Sequence, residues 1–138
     1  MKTFTRHFLK TEDGATAVEF VLVLPILLSM VFGIICFGQY FAIANSLQQL
    51  AAEAARYSAI EFQQDDRVAA ANTFITEADA RFTFLAQDKV TYTTVPLSDP
   101  DGIQVSLTYD LQGSAVALAG GFIGIDFVTL TRSSYIAY

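Results

Sequence analysis

The sequence is poor in the residues from which metal and catalytic sites are built. Among its 138 residues there is one cysteine, Cys36, and one histidine, His7. A lone cysteine excludes an intrachain disulfide and leaves the redox compartment open. Cys36 and His7 stand far apart in the sequence, which excludes an ordinary His/Cys zinc site. A Ser-His-Asp relay would have to draw on His7, within the basic N-terminal segment, so no catalytic set emerges. Basic residues are few as well. Eight Lys and Arg against fourteen Asp and Glu give a net charge of −6, the reverse of the basic footprint that nucleic-acid binding needs. Between Glu19 and Glu53 there is no charge of either sign.

What is present is ordered along the chain. The first eleven residues carry Lys2, Arg6 and Lys10 and no acid, whereas from Phe41 onward there are eleven acids and five bases. Between them Phe20 to Gly38 gives nineteen uncharged residues. At ~1.5 Å per residue this run covers about 29 Å, close to the ~30 Å hydrocarbon core of a bilayer. A basic head, an apolar span and an acidic tail predict a single-pass membrane protein with a cytoplasmic N-terminus. A secretory signal peptide is the rival reading, with Ala42-Ile43-Ala44 as an A-x-A site. Its apolar region is usually only about 7–15 residues, and its small residues follow that region; here a small-residue step, Gly14 to Ala17, comes before it.

Three further features mark the span. Pro25 removes a backbone donor and crowds the carbonyl of Val21, so a kink is expected near Val21 to Pro25; membrane helices also tolerate proline for no special reason. Ser29 and Gly33 make a small-xxx-small pair, and Gly38, Ala42 and Ser46 repeat the spacing, which permits close helix contact. Glu19 directly precedes the apolar run, where a carboxylate is unfavourable. Cleavage between Gly14 and Ala15 would supply a reason for it. The new α-amino group at Ala15 lies one helical turn from Glu19 on the same face, and the carboxylate then sits near a helix N-terminus, which favours negative charge. An ammonium and a carboxylate ~4 Å apart attract by about 4 kcal/mol at an effective dielectric of ~20, within one chain or between neighbouring subunits. The plainer alternative is an interfacial glutamate among headgroups.

The run Gly14-Ala15-Thr16-Ala17-Val18-Glu19-Phe20, followed by "VLVLPILLSMVFGIICFGQY", resembles the TadE-like family of the tight-adherence (Tad) pilus machinery, minor pilins or pseudopilins of the type IV filament superfamily. The resemblance extends through "NSLQQLAAEAARYSA" to about Tyr57. It implies that a prepilin peptidase cuts after Gly14, and that Glu19 and Phe20 serve processing and subunit docking. The chain departs from the family pattern at Cys36, where an acid is frequent, and at Gln39, where an arginine is frequent.

The remainder reads as a small α+β domain. Leu47, Leu50, Ala51, Ala54, Tyr57 and Ser58 continue a helix past the membrane. After a break at Gln63-Gln64, Asp65 or Asp66 can cap a second helix whose apolar stripe is Val68, Ala71, Ile75, Ala78, Phe82 and Leu85. Lys89 to Leu97 reads as a strand. Ile103 to Gln112 alternates apolar and polar residues, as a half-buried strand does, and "SDPDG" is the turn between the two. Asp99 and Asp101 alone fall short of the six to eight oxygens that calcium takes. Gly113 to Gly124 is apolar but too short to span, and is expected as a short helix or loop on the sheet or on the membrane surface; it lacks the Lys-Ser/Thr ending of a phosphate loop. Ile125 to Tyr138 reads as a final strand with an edge open to a partner.

The expected organisation is a cytoplasmic leader over 1–14, a transmembrane and extended helix over 15–62, and a periplasmic α+β domain over 63–138 with an antiparallel sheet of about three strands. The function that the resemblance implies is a structural subunit of a Tad-type pilus that needs no cofactor. Its partners would be the prepilin peptidase, sister minor pilins, the major pilin, the inner-membrane assembly platform and the lipid bilayer, with no nucleic acid. The alternatives are an uncleaved inner-membrane scaffold of the same machinery and a membrane-tethered enzyme, for which candidate residues are lacking.

Overall fold

The computed structural model describes residues 12–78 and 81–138. The basic head with Lys2, Arg6, His7 and Lys10 lies outside the described residues. Helix α1 runs over Glu12–Ser58 and α2 over Gln64–Thr76. Strands β1 (Val90–Ser98) and β2 (Asp101–Asp110), helix α3 (Ala115–Ile123) and strand β3 (Thr129–Ala137) complete the chain. The fold is α+β, and among the described residues one helix, Thr16–Ser58, is long and apolar enough to cross a membrane. The chain divides into two compact units after Cys36.

The first unit is helix whose apolar side chains face outward. Phe20, Leu22, Ile26 and Met30 are all exposed, so the helix presents hydrocarbon on every side, as a lipid-facing span does. The chain stays α-helical on both sides of Pro25, and the Ser29 hydroxyl donates to the Pro25 carbonyl at 2.7 Å.

In the second unit α1 changes character. Ile43, Ala44, Leu47, Leu50, Ala51, Ala54, Ala55 and Ser58 are buried, a stripe with helical spacing that faces a core. Tyr57, expected on that stripe, is instead exposed and packs its ring on Phe74 at 5.2 Å. The sheet order is β1-β2-β3, antiparallel throughout. Central β2 places Ile103, Val105, Leu107 and Tyr109 in the core, while Gln104, Ser106 and Thr108 alternate to the other face. Thr108 and Thr131 share a hydroxyl hydrogen bond of 2.9 Å across that face.

Helix α2 corrects two sequence expectations. Its N-cap is Gln63, without a side-chain hydrogen bond, and Asp65 and Asp66 occupy the first turn, where they complement the helix dipole without capping it. The helix also stops at Thr76 although the apolar stripe runs on to Leu85. The Gln87 carboxamide donates to the carbonyls of Ile75 and Thr76, both at 3.0 Å, in the last turn, where carbonyls lack a partner within the helix. Successive turns, closed by Arg81 N–H to Ala78 and Leu85 N–H to Phe82, then carry the chain onward. Ala78, Phe82 and Leu85 remain buried beyond the end of α2.

The segment after β2 forms helix α3. Ser114 caps it by accepting from the Ala117 N–H, and Gly124, at φ 73°, ends it in the left-handed region. Close packing fixes Gly120. A Cβ there would collide with the Ile125 carbonyl and come within 2.7 Å of the Phe127 ring.

Candidate processing and assembly segment

The residues singled out by sequence fall on α1. Gly14 is half-buried and Ala15 lies in helical backbone, while Glu19 and Phe20 are exposed. Five residues of helix separate Gly14 from Glu19, about 7.5 Å along the axis. The carboxylate is therefore presented outward at the start of the apolar run, where a cationic group from outside the chain can reach it.

Ser29 is exposed and Gly33 half-buried, a turn apart. A Cβ built on Gly33, or on Gly38, meets nothing within 4 Å. Neither glycine is required by packing inside the chain, although glycine costs a helix up to about 1 kcal/mol relative to alanine. The bare backbone is left available to an outside helix. Cys36 is buried.

Two connections were not legible from sequence. The Gln39 side-chain oxygen accepts from the Ala115 N–H at 3.0 Å, fastening the start of α3 to α1 one residue beyond the apolar run. At the other end of the compact unit, the Ser58 hydroxyl donates to the Ala55 carbonyl at 2.6 Å and bonds the Tyr138 hydroxyl at 2.7 Å. The Arg67 guanidinium lies 3.6 Å from the centre of the Tyr138 ring, a cation–π contact. Spacing rules find neighbours within one helix; these pairs join residues 76 and 80 positions apart. Asp99 and Asp101 sit at the β1–β2 hairpin, and no cluster of three or more potential metal ligands occurs among the described residues.

No curated protein and no solved structure matches the chain. A protein-family model described as TadE-like protein does match, over residues 14–56, which begins at Gly14 and ends two residues before α1 does. Residues 14–56, less than half of the 138-residue chain, are therefore similar to TadE-like proteins.

Proposed function

We propose that the chain is a minor-pilin- or pseudopilin-like structural subunit of a Tad-type pilus. It is made as a prepilin in the inner membrane, with its N-terminus cytoplasmic and its C-terminal domain periplasmic. A prepilin peptidase cuts after Gly14. The freed Ala15 amine and the Glu19 carboxylate then form a charge pair, within the subunit or with a neighbour, as the subunit joins sister minor pilins and the major pilin on the assembly platform. Its work is docking, and it transforms no substrate.

One coincidence carries this reading: the family match, over residues 14–56, lies wholly within helix α1 and spans nearly all of it. Within them an exposed Glu19 follows Gly14 by five positions and stands at the head of a charge-free apolar run. The test is N-terminal sequencing of the protein from its native host. Ala15 as first residue is expected. Met1 throughout would replace the proposal with an uncleaved inner-membrane scaffold. Mass spectrometry of sheared pili then reads whether the mature chain enters the filament and which subunits accompany it.

A further inference from the structure

Helix α3 carries large apolar side chains that the fold does not cover. Phe122 is 86% exposed, Ile123 66% and Leu118 60%, and Ile125 just beyond is also open. No charge occurs from Gly113 to Ile125. Contiguous exposed apolar surface of this kind marks a contact site, and its position identifies what it contacts.

Three hydrogen bonds calibrate that position along α1. Gln39 bonds the start of α3, Gln48 donates to the Ser133 carbonyl at 3.3 Å, and Ser58 meets Tyr138. From Gln48 to Ser58 is ten residues of helix, about 15 Å. From Ser133 to Tyr138 is five residues of strand, about 17 Å. Helix and strand therefore advance together in the same direction. Four residues back along β3, about 13 Å, stands Thr129, which matches nine residues back along α1, at Gln39. The start of β3 is thus level with Gln39, and so is the end of β2, because Asp110 pairs with Thr129. Residues 111–128 leave the sheet at that end, their base closed by the Leu111 N–H to Val128 carbonyl bond of 2.9 Å. Gln39 is also the first residue after the Phe20 to Gly38 run. Helix α3 is therefore level with the residue at which the apolar run of α1 ends.

From this we infer that α3 is an interfacial membrane helix, inserting Leu118, Phe122 and Ile123 into the outer edge of the bilayer while the subunit is membrane-resident. Interfacial helices seat their apolar face roughly 5–10 Å into the headgroup–acyl boundary. The α1–Gln39 bond holds α3 at the level where that is possible. The inference rests on the membrane-anchored reading of α1.

The chain contains no tryptophan, so a single one reports its own surroundings. Full-length Phe122→Trp, Leu28→Trp and Phe62→Trp are each reconstituted in phosphatidylcholine vesicles with and without lipid brominated on the acyl chains. Phe62 is 91% exposed and follows the far end of α1. Leu28→Trp in the span should be strongly quenched, and Phe122→Trp should show roughly half that quenching or more, as expected at interfacial depth. Phe62→Trp should show none. Quenching of Phe122→Trp no greater than that of Phe62→Trp overturns the inference while leaving the anchor intact. A blue-shifted but unquenched Phe122→Trp overturns it in favour of a second copy. Failure of Leu28→Trp to be quenched removes the anchor, and the inference with it.

Discussion

At the scale of single residues, the chemistry of the proposed function is concentrated between Gly14 and Phe20. A peptidase must draw the backbone extended across its active site, and glycine has no Cβ to obstruct that passage. Gly14→Val should therefore accumulate in the membrane as an uncut chain of 15.1 kDa. Recovery of Ala15 as N-terminus from that variant would refute the cleavage assignment. In the proposed function Glu19 acts one step later. Glu19→Leu keeps the basic head and makes the apolar run longer, so it should insert well and be cut. It removes an attraction of at most about 4 kcal/mol at an effective dielectric of ~20, and should leave mature protein in the membrane and little in sheared pili. Glu19→Asp keeps the charge with a shorter reach and should restore part of the loss. Equal pilus incorporation of Glu19→Leu and parent would leave Glu19 an ordinary interfacial acid.

At the scale of elements, glycines separate packing inside the chain from packing outside it. Nothing lies within 4 Å of a Cβ on Gly33, so Gly33→Leu should insert and be processed normally. Its bulk would keep another helix from close approach, and pilus incorporation should fall; unchanged incorporation would show that this face is not a subunit contact. Gly120 is the opposite case, with the Ile125 carbonyl and Phe127 ring already occupying the space. Gly120→Ala should cost about 1–3 kcal/mol, the usual range for overpacking, and lower the thermal midpoint in detergent. Gly121→Ala, which meets nothing within 4 Å, should not. These two neighbours look alike in sequence, and only the return of the chain at Ile125 to Phe127 tells them apart. The same distinction governs how much was legible beforehand. The span, the alternating β2 strand and the helical stripe from Leu47 to Ser58 are written in local periodicity and were readable. The end of α2 at Thr76 depends on Gln87, and the level of α3 depends on Gln39 bonding Ala115. Such long-range polar pairs leave no period in the sequence. The candidate site was legible for a related reason, since Gly14, Glu19 and the apolar run are contiguous.

At the scale of the whole molecule, α1 changes along its length from a helix with exposed apolar side chains to one with a buried stripe, and the boundary matters for how the chain is cut into parts. Sequence composition suggests a soluble domain beginning at residue 63. In the structure, the core of the compact unit includes Ile43, Leu47, Leu50 and the alanines between and beyond them, set against Ile103, Val105 and Leu107 of β2. Full burial of a large aliphatic side chain is worth about 1.5–3 kcal/mol. Loss of Ile43, Leu47 and Leu50 alone thus removes roughly 5–9 kcal/mol, comparable with the ~5–15 kcal/mol that holds a typical domain together. A fragment 63–138 should therefore lack a cooperative thermal transition and give poorly dispersed amide resonances. A fragment 37–138 retains the helical stripe and both ties to it, through Gln39 and Ser58. It should melt cooperatively, although in water it would still expose Phe122 and Ile123. Phe122→Ser with Ile123→Ser in that fragment should reduce self-association without lowering its melting temperature, because neither side chain contributes to the core. Cooperative folding of 63–138 by itself would show that the exit helix is an appendage of the domain. The expected result makes α1 a structural half of the core.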